Sequence, residues 1–188
     1  MEYYQPAMRK LTLFALATCV FTASSGLAQE SKLGLGIGGG AYFPTDPKTK
    51  RLLGNTWLNF SIAPTKFKKV NGREFDSDLQ FVTRDKNGNR LTMVFLTYGL
   101  RTTLGSADSN SPTKPYFAVR GGPVYLDYRI TDTKTYRAKR LGVSANAELG
   151  VDFSDTVRAS LRYDVLSKYD TIKFDGFSVN LLFKLGRF

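Results

Sequence analysis

Residues 178–188 read SVNLLFKLGRF, and with Phe177 in front of them they alternate. Phe177, Val179, Leu181, Phe183 and Leu185 are apolar, whereas Ser178, Asn180, Lys184 and Gly186 are not, with Leu182 the exception. A period of two marks a β-strand with one apolar face. Most chain ends are polar and frayed. A patterned stretch that runs to a terminal aromatic, Phe188, therefore reads as a strand of the fold itself.

The same period recurs towards the N-terminus. Val157, Ala159, Leu161, Tyr163 and Val165 alternate with Arg158, Ser160, Arg162 and Asp164. Before them, Leu141, Val143, Ala145, Ala147, Leu149 and Val151 alternate with Gly142, Ser144, Asn146, Glu148 and Gly150. In the first half, Leu35, Ile37, Ala41 and Phe43 face away from Gly34, Gly36, Gly38 and Gly40, and Leu58, Phe60 and Ile62 from Trp57, Asn59 and Ser61. Phe75, Leu79 and Phe81 oppose Asp76, Asp78 and Gln80; Val94, Leu96, Tyr98 and Leu100 oppose Thr97, Gly99 and Arg101. Residues 115–130 (PYFAVRGGPVYLDYRI) change parity once, from Phe117 and Val119 to Val124, Leu126, Tyr128 and Ile130. A β-bulge at Gly121-Gly122-Pro123 accounts for that change, since Gly tolerates a bulge and Pro needs no donor.

Turn signals separate the rows at 44–47, 71–72, 85–89 (DKNGN), 105–114, 131–135, 152–155 and 168–171. Helical periodicity is poor throughout. Eight strands of about ten residues or slightly more result, and consecutive antiparallel strands close into an up-and-down barrel that leaves no sheet edge.

Residues 1–28 stand apart. Arg9 and Lys10 precede an apolar run over 11–23, and Ser24-Ser25-Gly26-Leu27-Ala28 follows. A positive region, an apolar run too short to span a bilayer and a small-residue site make a Sec-type cleavable signal peptide. The expected cut follows Ala28, with Ser25 as second choice. Cys19, the only cysteine, lies inside that run; a lipoprotein reading of residues 16–19 is disfavoured by the bulk of Thr18. One domain, residues 29–188, remains. It has no Cys, and the whole chain has no His, so disulfides, thiol or imidazole catalysis and Cys or His metal sites are unavailable to it.

The full chain carries 27 Lys and Arg against 16 Asp and Glu. Removing Glu2, Arg9 and Lys10 leaves 25 against 15, a net charge of +10. That balance favours phosphate-rich partners, and export makes anionic lipid the expected one rather than nucleic acid.

Two barrels share this pattern, one soluble with an apolar interior, the other membrane-spanning with an apolar exterior. The minority face decides between them. It carries Asp76, Asp78, Glu148 and Asp164 with Arg101, Arg120, Arg158, Arg162 and Lys184, nearly balanced in charge. Such side chains suit a narrow lumen where they pair. Leu149, Val157, Leu161, Val179, Leu181, Phe183 and Leu185 are then expected to face lipid. The alternative, a soluble secreted barrel binding a small apolar ligand, puts the charges in water.

The stretches LGLGIGGGAYFP, PYFAVRGGPVYLDYRI and AELGVDFSDTVRASLRYDVL, with the aromatic end, resemble the small eight-stranded bacterial outer-membrane β-barrels, those similar to outer membrane proteins A, W and X. The resemblance covers residues 29–188. It implies an outer-membrane location, contact with outer-membrane lipid and lipopolysaccharide, and a structural, surface-interaction or narrow porin-like role without cofactors. It also implies assembly by the barrel-assembly machinery with periplasmic chaperones, with Phe188 as the assembly signal; the oligomeric state is left open, a monomer being favoured. Phe188 departs from the usual pattern, because it is even-numbered while the apolar row is odd; a bulge at Gly186-Arg187 would reconcile them.

Other motifs carry less. Residues 34–39 match a dinucleotide-binding G-x-G-x-x-G, but no helix follows. Asp76 and Asp78 share a face and lack a third metal ligand, so pairing with arginine is the expected role. Lipid-A-modifying barrel enzymes use a His beside a Ser or an acid, and the absence of His disfavours that activity. Basic residues gather in the turns and form a candidate external rim: Lys48, Lys50 and Arg51; Arg84, Lys86 and Arg90; Lys134, Arg137, Lys139 and Arg140.

Overall fold

A computed structural model describes residues 34–65, 67–70, 73–105, 113–153, 156–169 and 172–185. The elements are β1 (Leu35–Pro44), α1 (Pro47–Leu53), β2 (Trp57–Pro64), β3 (Lys68–Val70), β4 (Arg73–Lys86), β5 (Asn89–Thr103), β6 (Thr113–Thr131), β7 (Thr135–Phe153), β8 (Val157–Leu166) and β9 (Gly176–Leu185). Sequential neighbours pair antiparallel except β2 and β3, β9 pairs with β1, and β2 pairs with β4, so the sheet closes. The three-residue β3 continues β2 after a break, against the start of β4. Among the described residues the result is an antiparallel eight-stranded barrel. Residues 1–28 and Phe188 lie outside the described residues.

Closure is set by the final strand. Leu35 lies opposite Leu185 and Phe43 opposite Phe177, a ten-residue register without a break. Both described ends of the barrel chain thus lie at one end, termed the terminal end. Residues 45–56, 87–88, 132–134, 167–169 and 172–175 lie between strands at the other, the loop end. Asn87 and Gly88 form a two-residue hairpin with φ of 52° and 76°, the left-handed pair that a type I′ turn demands.

The structure differs from the sequence expectation at two places. The first is α1. Asp46 caps it by accepting from Thr49 N at 2.8 Å and Thr49 Oγ1 at 2.9 Å, Pro47 opens it, and Gly54 ends it at φ 85°. Seven residues do not hold a helix alone. Leu53 is buried beneath it, and the free C-terminal carbonyls accept from the barrel: Leu52 O from Asn89 Nδ2 at 3.1 Å and Leu53 O from Arg84 Nε at 2.9 Å.

The second difference is β6. No bulge interrupts it. The register with β7 runs unbroken from Thr113 opposite Phe153 to Thr131 opposite Thr135, and Phe95–Val124 and Tyr98–Gly121 keep one register with β5. Tyr116, Ala118, Arg120, Val124, Leu126, Tyr128 and Ile130 all point inward and are buried. What changes at Gly121-Gly122-Pro123 is the chemistry of the interior.

Candidate functional site

The interior has two compartments. Near the terminal end it is ionic. Arg120 donates from Nε to Asp76 Oδ2 at 2.8 Å, from Nη1 to Glu148 Oε2 at 3.0 Å and to Asn146 Oδ1 at 3.3 Å. Its guanidinium thus joins β4 to β7 across the lumen from β6. Arg162 donates from Nε to Asp164 Oδ1 at 2.7 Å and from Nη1 to Asp78 Oδ2. Lower down, Arg101, Arg158 and Lys184 converge on Asp152, with Arg158 Nε and Lys184 Nζ each 2.9 Å from Oδ1. Arg101 also lies 3.6 Å over the Tyr116 ring, whose hydroxyl donates to Glu148. That ring rests over Gly150, where a Cβ would come within 2.5 Å of it.

These partners explain why charges sit in so narrow a space. An eight-stranded interior is just wide enough for side chains to fill. A buried charge is tolerated when an opposite charge and hydrogen bonds replace water. Asp76, Asp78, Glu148, Asp152 and Asp164 stand against Arg101, Arg120, Arg158, Arg162 and Lys184. Sequence reasoning left Asp152 in a turn and overlooked Tyr116. Parity held the signal for Asp152, since Glu148, Gly150 and Asp152 follow one row. The ionic layers leave a cavity of about 20 Å³ edged by Asp78, Arg120, Glu148 and Asn180, room for about one water. Above them Gln80 Nε2 donates to Asn59 Oδ1 at 2.9 Å, and Asn59 Nδ2 donates to Asn180.

Towards the loop end the interior turns apolar. Leu91, Met93 and Phe95 from β5 meet Val124, Leu126 and Ile130 from β6, all fully buried. Trp57 stacks on Tyr42 with centroids 5.3 Å apart and 14° between planes. Trp57 Nε1 donates to Gly54 O at 3.0 Å, and Tyr42 Oη to Phe174 O at 2.6 Å, tying α1 and the β8–β9 loop onto this plug.

The exterior does the reverse. Leu149, Leu161, Val179, Leu181, Phe183 and Leu185 point outward and are exposed, and Val157 is half-buried. On β7 the outward apolar row starts at Leu141, 74% exposed, and continues to Phe153. Above Leu141 the outward residues are Lys139 and Arg137; on β6 they are Asp127 and Arg129; on β5, Thr92 and Arg90. So one end is apolar outside and ionic inside, and the other is charged outside and apolar inside. The change falls at one level on β5, β6 and β7. Tyr163, Phe177 and Phe43 form an outward aromatic row across β8, β9 and β1, with Tyr163 and Phe177 centroids 4.5 Å apart.

The basic cluster residues all lie towards the loop end, but they differ in exposure and in the partners the structure gives them. Lys50, Arg90, Lys134, Arg137, Lys139 and Arg140 are exposed there, and Lys86 is half-buried. Lys48 and Arg51 both pair with Asp132, at 3.5 and 3.2 Å. Arg84 is turned inward onto the α1 carbonyl, because the parity of β4 places it above Val82 and Gln80, so its charge is engaged in holding the helix.

The fold is that of the small eight-stranded outer-membrane β-barrels. Among solved structures, the chain is similar to Neisserial surface protein A, at 14% identity and a TM-score of 0.57, over 82% of this chain and 98% of that one. Ail, the attachment invasion locus protein of Yersinia pestis, aligns at 12% identity and 0.52, over 84% and 100%. The N-terminal β-barrel domain of Pseudomonas aeruginosa OprF aligns at 14% and 0.51, over 84% and 100%. No protein-family model matches the sequence, and no curated protein does.

Proposed function

We propose that the protein is an integral outer-membrane barrel without catalytic activity, closed along its axis, whose role is structural and surface-directed. The observation that carries this reading is the inversion of polarity along the barrel. A soluble barrel keeps a wet exterior from end to end. Here the apolar exterior covers Leu141 to Phe153 on β7 and Phe177 to Leu185 on β9. At about 3.3 Å per residue and a tilt of about 40°, those rows are roughly 20–30 Å tall, which brackets the apolar band of a membrane barrel. The loop end, charged outside and apolar inside, is built for water.

The terminal end then lies in the periplasm and the loop end projects outward. The exported, His-free sequence supports a non-enzymatic role, since the imidazole base on which barrel acyl-hydrolases rely is missing. The exposed Lys and Arg at the loop end support contact with lipopolysaccharide phosphates through charge-assisted hydrogen bonds. Assembly by the barrel-assembly machinery with periplasmic chaperones, and existence as a monomer, complete the reading.

Lipid contact is tested at Leu161, 49% exposed on β8. In a bilayer, Leu161→Arg is expected to cost about 2–4 kcal/mol near the midplane, well above Leu161→Ala, measured by denaturant unfolding in vesicles. An outward face in contact with water would instead tolerate arginine at least as well as alanine, and that result would overturn the assignment.

A further inference from the structure

The β6–β7 hairpin rises above its neighbour on one side. β7 pairs with β8 only from Ser144, opposite Leu166, downward, whereas its pairing with β6 continues up to Thr135. Beyond Leu166 the chain follows β7 for one more residue. Ser167 N donates to Val143 O at 3.1 Å, and Val143 N donates to Ser167 Oγ at 3.4 Å. The chain then turns into the mouth of the barrel, where Tyr169, Ile172 and Phe174 are buried in the plug. Backbone groups alternate sides along a strand. Those of Val143 point towards β8, so the N–H and C=O of Leu141, Lys139 and Arg137 point the same way, past the end of β8. Among the described residues nothing pairs with them. Tyr136 and Ala138, on the inward row between them, pack on the core yet stay only half-buried, because no strand lies beside them.

We infer that the open edge of β7 over residues 137–141 is a docking site for an extended acidic segment of a partner protein, added as a strand in line with β8. An edge with unmade backbone hydrogen bonds is a template for another polypeptide backbone. The outward apolar row starts at Leu141, so this edge stands above the bilayer, where water satisfies it until a strand replaces the water. Charge selects the partner. Arg137 and Lys139 project outward along the edge, Lys134 stands above it and Lys168 at its foot, all exposed. Asp127, opposite Lys139 on β6, offsets one of these charges, and Asp132 at the turn is engaged by Lys48 and Arg51. Two copies paired edge to edge would set this basic group against itself, which disfavours a second molecule of the same protein. An added strand puts its outward residues beside Arg137 and Lys139 and the inward residue between them beside Ala138. Acidic residues two apart, with an apolar residue between, match both faces. The site rests on the orientation proposed above, which turns this edge to the outside.

The test uses the protein purified from membranes, placed in nanodiscs and checked for folding by its heat-dependent gel mobility. The probe is a labelled synthetic peptide of about nine residues in which Glu and Val alternate. Methyl groups on its glutamate backbone nitrogens, which would face β7, are expected to weaken binding about tenfold or more. The same number on the valine nitrogens, facing away, is expected to cost less than about threefold. Lys139→Pro removes an edge donor outside the β6–β7 ladder and is expected to weaken binding about tenfold, against less than about threefold for Lys139→Gln. A peptide alternating Lys and Val is expected to bind weakly. Equal binding of the two methylated peptides would overturn the edge and leave surface charge as the attraction. Equal binding of the Lys–Val peptide would overturn the acidic partner, and dimers of the unmodified protein that Lys139→Pro abolishes would give the edge to a second copy instead. If folded, membrane-inserted protein bound none of the peptides, the docking site would fall while the outer-membrane reading stood.

Discussion

Arg120→Met is expected to destabilise the folded barrel by about 3–5 kcal/mol, the typical effect of removing one partner from a buried ion pair. Arg120 is the sole described cation within hydrogen-bonding distance of both Asp76 and Glu148. Its loss leaves two carboxylates in the lumen, with Tyr116 bonded to only one of them. The adjacent cavity admits about one water, too little to solvate both. The cost therefore comes from stranded charge more than from lost attraction. A variant that also carries Asp76→Leu and Glu148→Gln is expected to recover much of the loss, because a buried ion pair replaced by packed neutral groups is often nearly neutral in energy. Urea unfolding of the three forms refolded into the same vesicles measures this. If Arg120→Met alone were as stable as the unmodified protein, the ionic lumen would be wetter than its geometry indicates.

Trp57→Ala is expected to cost a further distinct amount at the other seal, about 3–5 kcal/mol for a buried aromatic truncation. Trp57 is 1% exposed, stacks on Tyr42 and holds Gly54 O, so its removal empties the plug and frees the end of α1 together. Proteolytic cleavage is expected to appear within residues 45–56 before the barrel unfolds. Trp57→Phe keeps most of the stacking but leaves the Gly54 carbonyl without its donor, at roughly 1–3 kcal/mol if no water reaches it. Equilibrium unfolding beside Leu58→Ala, an outward neighbour on the same strand, supplies the comparison. A smaller effect for Trp57→Ala than for Leu58→Ala would mean the loop-end interior is not a packed core. With ionic and apolar seals in series, the unmodified protein is expected to show no steady conductance in a planar bilayer, and Arg162→Ala to raise leak only when combined with Trp57→Ala, which opens the second seal.

Much of this architecture was legible in the sequence where one rule governs a strand along its whole length. Phe177 to Leu185 obeys a single alternation because β9 stays within the apolar band from end to end, and so do 157–165. The Asn87-Gly88 turn was legible because only left-handed conformers suit it. The interior plug was not legible, for a physical reason. On β5 and β6 the inward row changes from polar to apolar part-way up, so apolar residues switch parity without any change of register. Val124, Leu126, Tyr128 and Ile130 share the row of Arg120, yet their pattern is the one a bulge would produce. Pattern alone cannot separate a phase slip from a change of environment; only the pairing with Phe95 and Tyr98 does. The helix α1 escaped notice because seven residues hold too few turns to show a period, leaving Asp46-Pro47 and Gly54 as its signals.

Arginines show the same limit. Arg84, Arg90 and Arg137 look alike as turn-proximal cations, but strand parity turns Arg84 onto a helix carbonyl and the other two outward. Their juxtaposition with Arg129 depends on cross-strand register, which a linear sequence does not display.

The central claim is that the apolar exterior meets a bilayer in the outer membrane. It is tested most directly by separating inner membrane, outer membrane and periplasm from cells producing the full chain, then comparing unheated and boiled samples on a gel. The account predicts a single outer-membrane band whose mobility changes on boiling, as a closed barrel unfolds. A protein recovered freely soluble in the periplasm, with the same mobility before and after boiling, would contradict it.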